Sequence, residues 1–282
     1  MTGLTNGVTA SREEILQATN RLLGKTFGDI DAEINGMADD ERARSKHGVA
    51  NVIEEGYFDI AINNDARPDF TDEGIELKVT PLRRTGGNEL LRPKERLVLC
   101  MCDYTEIAEA DHWTEVPALQ KKLSSVLIIW YIHIVGQDRA TYPIVWWDLW
   151  EPMDDPRWRE QLQEDFEICK EKVMNGETPS EKHTTLLGTC PKHSGGYDHE
   201  DPASSPRHAR VSSDAHPILD YAEKRGWSIG MGGAMEIFQE ATGLQKASRG
   251  RASGIEIEEL WGEAQKKAPH DVRRFSESFP EL

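Results

Sequence analysis

Residues 68–78 read Pro68-Asp69-Phe70-Thr71-Asp72-Glu73-Gly74-Ile75-Glu76-Leu77-Lys78, and the fold turns on this stretch. Phe70 and Ile75 flank a polar run that ends in Gly74, which suits a four-residue hairpin loop. Counting outward from that loop sets Phe70 opposite Ile75 and Asp69 opposite Glu76, with cross-strand Cβ atoms about 5 Å apart. Strand period two then puts Glu76 and Lys78 on the face of Asp69, while Ile75, Leu77 and Val79 point into a core. Opposed carboxylates repel unless positive charge sits between them. A hard divalent cation such as Mg2+ would supply it. A solvated hairpin in which Lys78 neutralises Glu76 would also produce the pattern Asp-x6-Glu-x-Lys.

At 282 residues the chain is long enough to bury a full core. It has no apolar run of about 18 residues and no signal-like start, so we expect a cytoplasmic protein with no membrane association. Cys100 and Cys102 lie in an apolar run and read as reduced core residues. Cys190, His193 and His199, with His183, match no strong zinc spacing. The net charge of −17 argues against a broad nucleic-acid-coating surface but allows a local positive cleft.

Upstream, Ser11 and Glu14 form a capping box, and an apolar stripe follows to Gly24, predicting a helix over 11–24. A polar segment to about Arg44 includes the acidic run Asp39-Asp40-Glu41. Val49, Val52, Ile53 and Tyr57 predict a second helix over 48–58 carrying Glu54 and Glu55, which helical spacing alone does not separate. Downstream, Pro81 is expected to end the first strand. Arg83, Arg84, Arg92, Lys94 and Arg96 read as a basic loop beside the carboxylates, suited to phosphate.

Strands are predicted over 97–102, 126–135 and 142–150, with a short helix over 116–123. Trp146, Trp147 and Trp150 read as core and rim packing. Asp155 caps a long helix that ends at Asn175-Gly176. A long loop is expected over 189–216, helices over 216–225, 232–242 and 255–267, and a basic flexible linker over 248–254. The order of elements predicts an α/β domain with a mixed β-sheet flanked by helices.

Asn51-Val52-Ile53-Glu54, Arg67-Pro68-Asp69-Phe70, Gly74-Ile75-Glu76-Leu77-Lys78-Val79-Thr80-Pro81 and Lys94-Glu95-Arg96-Leu97-Val98-Leu99 follow one another in the chain. This ordered string resembles the MutH family: the mismatch-repair nicking endonuclease and the GATC-cutting type II restriction endonucleases, within the PD-(D/E)XK nucleases. The resemblance runs from about Ser11 to Thr242. It implies a restriction-endonuclease-like fold over residues 1–245, followed by a linker and C-terminal helical extension over 246–282.

It also implies a Mg2+-dependent DNA endonuclease, with Mn2+ able to substitute, acting on double-stranded DNA and able to pair as a homodimer on it. Metal ligands fall on Asp69, Glu76 and the Leu77 carbonyl. The catalytic lysine falls on Lys78, and the helix glutamate on Glu54 rather than Glu55. A further active-site lysine falls on Lys122, with Lys121 adjacent. A family lysine near the DNA-reading loop falls on Lys192, while Arg83, Arg84 and Lys94 are expected to contact DNA as members of the basic loop noted above.

The chain departs from the family at Lys46-His47-Gly48-Val49-Ala50, where the glycines are shifted. Cys190 stands where an arginine reading guanine is expected, and Trp227-Ser228-Ile229-Gly230 lacks the family's aromatic and lysine. The resemblance therefore implies the cleavage chemistry more directly than a GATC site. A mismatch-repair nickase and a non-cleaving DNA-recognition domain are the competing expectations.

Overall fold

The computed structural model describes residues 6–35, 48–61, 67–87, 89–192, 200–201, 208–210 and 221–268. The acidic run 39–41, Lys46, His47, His193 and His199 lie outside the described residues. In chain order the first elements are α1 (Arg12–Asn20), α2 (Phe27–Asn35), α3 (Gly48–Asn51) with a π-helical turn (Val52–Tyr57), β1 (Glu76–Thr85), β2 (Leu90–Pro93) and β3 (Leu97–Met101). Next come α4 (Tyr104–Glu109), α5 (Pro117–Leu123), β4 (Val126–Ile132), β5 (Ile144–Trp150), α6 (Pro156–Met174) and β6 (Leu187–Pro191). The last are β7 (His208–Arg210), β8 (Tyr221–Glu223), β9 (Arg225–Ile229), α7 (Met231–Thr242), β10 (Ala247–Arg249), β11 (Ala252–Glu256) and α8 (Ile257–Lys267). Among the described residues no helix is long and apolar enough to cross a membrane.

The contacts divide the chain into two compact units. The first holds a six-stranded mixed sheet in the order β10-β11-β2-β1-β4-β5. β1 and β4 pair in parallel from Glu76↔Val126 to Leu82↔Ile132, and the neighbouring pairs are antiparallel. β4 is Val126-Leu127-Ile128-Ile129-Trp130-Tyr131-Ile132 and is buried throughout, as a central strand covered on both faces must be. Trp130 packs against Phe238 of α7 at a ring separation of 4.8 Å. Tyr131, facing the other way, meets Phe27 of α2 edge-on at 5.1 Å. Helices thus flank both faces, giving the expected α/β fold with a restriction-endonuclease-like mixed sheet.

The expected capping box holds: Ser11 Oγ accepts from Glu14 N, and the Glu14 carboxylate accepts from Ser11 N at 2.9 Å. Such a cap contributes about 1 kcal/mol. α1 itself stops at Asn20, and a turn leads to Gly24 at φ +82°. The polar segment after it contains a helix the spacing did not predict. Thr26 and Asp29 cap α2 reciprocally, at 2.9 and 3.0 Å, and Phe27 and Ile30 are buried beneath it.

Pro81 does not end β1. The Leu82 carbonyl bonds to His133 N on the β4 side, so the Pro81 nitrogen and carbonyl face the β2 side. There the Pro81 carbonyl accepts from Lys94 N at 2.9 Å, at the end of the pairing with β2, so the proline forgoes only the one bond its own nitrogen would have donated. The strand continues to Thr85, so Arg83, Arg84 and Arg92 lie in strands rather than in a loop. The expected linker is also a hairpin: β10 and β11 pair through Arg249↔Ala252, β11 sets Ile255 beside Leu91 of β2, and β10 forms the sheet edge. Arg249 is held there by Glu89 at 2.8 Å and Glu256 at 3.1 Å.

The second unit holds a three-stranded sheet, β3-β9-β6, and the β7-β8 pair. Residues 187–191, expected partly in a loop, form β6, and 221–229, expected partly as helix, form β8 and β9. β9 is central in its sheet and every residue in it is buried, a tertiary pairing that local periodicity does not encode. α6 follows its Asp155 cap and Pro156 as expected. It also buries Asp165, whose carboxylate accepts from Thr185 N at 3.0 Å, Leu186 N at 2.6 Å and Leu187 N at 2.8 Å. Those three bonds tie α6 to the start of β6.

Candidate active site

Phe70 pairs with Ile75 as counted, whereas no backbone pair joins Asp69 to Glu76. Phe70 N bonds to Ile75 O at 2.9 Å, and Ile75 N to Phe70 O at 3.2 Å. Gly74, at φ +67°, closes the loop in a conformation that side-chain-bearing residues adopt only with strain. Phe70, Ile75 and Leu77 are buried, and Val79 is half-buried.

Beyond the Phe70–Ile75 pair the ladder is replaced by a side chain. Glu76 N turns to Ser125 O at 2.9 Å, on the side where β4 starts. Leu77 N therefore faces the free edge, where Asp69 Oδ2 accepts it at 2.8 Å. The Leu77 carbonyl shares that edge by strand alternation. Lys78 Nζ donates to Glu76 Oε1 one side chain along the same face.

The π-helical turn supplies the third acid. Phe58 N bonds back to Ile53 O at 2.9 Å, five residues away, and this wider turn leaves Glu54 half-buried and Glu55 exposed. Such turns recur at functional sites. Burial, reinforced by the Asp69 charge and opposed by Lys78, pushes Glu54 up to about 6. Burial works against the charge on Lys78, but Glu76, Asp69 and Glu54 outweigh it and raise its pKa. Glu54, Asp69, Glu76 and Lys78 thus share one electrostatic neighbourhood, with three carboxylates to one ammonium.

Carboxylate oxygens with excess negative charge are the donor chemistry a hard divalent cation takes. Among the described residues no group of three or more His, Cys, Asp or Glu stands ready as a metal cage. The donors fit the ion in chemistry and charge but not as a formed cage, and Lys78 is the cation that Glu76 holds as the side chains stand.

The other expected residues separate. Arg84 shares the strand face of Lys78 by alternation, and Arg83 takes the opposite face. Lys94 pairs with Glu95 at 2.7 Å. Lys122 and Lys192 belong to the second unit. Lys122 is buried on α5 beside exposed Lys121, and exposed Lys192 packs its stem over Gly226. Cys190 is a buried free thiol, and Trp227 is fully buried against Phe166 at 5.9 Å, so both are core residues. Trp146 and Trp150 are buried, and half-buried Trp147 donates its indole N–H to Asn20 at 3.1 Å.

Residues 58–165 match the family model described as the DNA mismatch repair enzyme MutH. The type II restriction enzyme Sau3AI of Staphylococcus aureus is 28% identical over 178 residues, covering 62% of this chain and 35% of that enzyme. The chain is homologous to MutH and to type II restriction enzymes. The DNA mismatch repair protein MutH of Vibrio cholerae serotype O1 (strain ATCC 39541 / Classical Ogawa 395 / O395) is 27% identical over 195 residues, covering 66% of this chain and 80% of that protein. That of Vibrio vulnificus (strain YJ016) is 26% identical over 188 residues, covering 64% and 75%. This MutH-like span contains Asp69, Glu76, Lys78 and Lys122, and leaves Glu54 and Lys192 outside.

Proposed function

We propose that the chain is a Mg2+-dependent, sequence-specific endonuclease of the type II restriction kind, hydrolysing phosphodiester bonds in double-stranded DNA, with GATC-related sites the first to test. The observation that carries this reading is the meeting of Asp69, Glu76 and Lys78 with Glu54 from the π-helical turn. We assign the nuclease function to residues 1–245, with 246–282 as an extension.

Asp69, Glu76, the Leu77 carbonyl and Glu54 would hold the metal, with Mn2+ able to replace Mg2+. When bound, the ion supplies Lewis-acid stabilisation of phosphate charge and a more acidic water. In this reading Lys78 orients the attacking water or stabilises charge on the phosphate oxygens. Lys122 likewise contacts the scissile phosphate, and Arg84, Lys94 and Lys192 contact the DNA backbone; Arg83, expected with them, takes the opposite face of β1 and is left out of this contact. One such site cuts one strand, so double-strand cleavage takes a homodimer on DNA or two successive nicks.

The test is incubation of the pure protein with Mg2+ and a GATC-containing plasmid, beside Asp69→Ala and Lys78→Ala. Cleavage by the wild type and loss in both variants is expected; equal activity in all three overturns the assignment. DNA binding in Ca2+ without nicking in Mg2+ or Mn2+ identifies a recognition domain instead.

One observation favours a second reading. The alignment covers 80% of the Vibrio cholerae mismatch-repair protein but 35% of the restriction enzyme. A nicking enzyme is then expected to yield open-circular rather than linear plasmid and to respond to mismatch-repair partners.

A further inference from the structure

Arg83 and Arg92 are direct partners across β1 and β2. Like charges at that spacing, Cβ to Cβ about 5 Å, destabilise a sheet unless an anion lies over them. Among the described residues neither arginine has a hydrogen bond or ion pair to an acidic side chain, in a chain with 50 acidic and 33 basic residues. Arg249, on β10 of the same sheet, shows the contrast, held by both Glu89 and Glu256.

The row extends beyond the two arginines. β1 and β4 run in register to Leu82↔Ile132, and His133 N bonds to Leu82 O at 2.9 Å, so the next step sets His133 beside Arg83. His133 lies on the face of Tyr131, since Tyr142 contacts both rings, at 5.2 and 6.0 Å. Its Nδ1 is buried without a hydrogen-bond partner. Burial and then the Lys94 charge lower its pKa, with Arg139 adding a little, while a backbone hydrogen bond and Glu95 oppose them. Arg92, Arg83 and His133 therefore span three neighbouring strand positions, roughly 10 Å, on one face.

That face is not the face of the carboxylates. Lys78 alternates with Val79 and shares the side of Trp130, which α7 covers; Arg83 shares the side of Tyr131, which α2 covers. A short straight duplex cannot lie on both sides of a helix-flanked sheet. We infer that Arg92, Arg83 and His133 form a second phosphate-binding surface, which takes the backbone of a separate DNA duplex. Arginine forks suit phosphate oxygens, and a row of this length spans about three phosphates at 3.4 Å of axial rise per strand. The surface rests on the reading that DNA is the partner, and not on cleavage.

The test titrates the full-length protein in Ca2+ with a duplex of about one helical turn, counting duplexes per chain by native mass spectrometry. The wild type is expected to bind two and the protein with Arg83→Glu and Arg92→Glu one. The gentler pair Arg83→Ala and Arg92→Ala guards against misfolding and is expected to reduce the salt dependence of binding by a slope of about two. One duplex per chain in the wild type, or two retained after charge reversal with an unchanged slope after alanine substitution, overturns the surface. Absence of nicking in Mg2+ with this stoichiometry intact would remove the nuclease reading and leave the surface standing.

Discussion

The carboxylate of Asp69 accepts the amide of Leu77 at 2.8 Å, so an acidic loop is fastened to the free edge of β1 by a side chain in place of a ladder rung. This bond holds Asp69 next to the Glu76–Lys78 pair. Asp69→Asn keeps an acceptor and loses the charge; it is expected to melt within a few degrees of the wild type while cleavage falls roughly 100-fold or more. Asp69→Ala also loses the bond and is expected to destabilise by about 1.5–3 kcal/mol. Thermal melts beside plasmid cleavage rates separate the two effects.

Glu54 provides a pH test. Its pKa rises from 4.5 unfolded to about 6 folded. Below pH 4.5 both states are protonated and folding costs nothing at this residue. As pH rises through about 6 the fold must hold the charge, at a cost of at most about 2 kcal/mol. Glu54→Gln is therefore expected to stabilise the metal-free protein by up to that amount at pH 8 and by nothing at pH 4. Urea unfolding at the two pH values measures the difference; an equal gain at both would contradict the burial account.

Asp165 is buried and receives three backbone amides. Removing it strands those donors, so Asp165→Ala is expected to cost about 3–5 kcal/mol. Asp165→Asn keeps one acceptor oxygen and is expected to cost less. Denaturant midpoints for the two variants give the order.

Lys267 closes α8 onto β5. Its ammonium lies 3.9 Å from the Trp147 ring centroid and 4.4 Å from that of Trp146, and it donates to the Trp147 carbonyl at 2.6 Å. Lys267→Ala is expected to lower stability by about 1 kcal/mol and to shift tryptophan emission. Lys267→Arg, which keeps the cation over the rings, is expected to recover most of both.

The chain alone determined the hairpin from Asp69 to Lys78, the caps of α1 and α6, and the buried run of β4. Each of these is written in local terms: a loop of fixed length, a period of two, or a cap three residues from its partner. Tertiary structure decided the rest. Glu54 is separated from Glu55 by a π-helical turn whose bonds leave the apolar spacing unchanged. Arg83 and Arg84 are sent to opposite faces because Pro81 is accommodated where β2 ends, and Arg83 gains Arg92 and His133 as neighbours through pairings with two other strands. Residues 247–256 join the sheet because Arg249 meets Glu89 and Ile255 lies beside Leu91, over 150 residues away in the chain. Strand partners and burial depend on segments distant in sequence, whereas turns and caps depend on near neighbours, and only the near neighbours can be read from a string of residues.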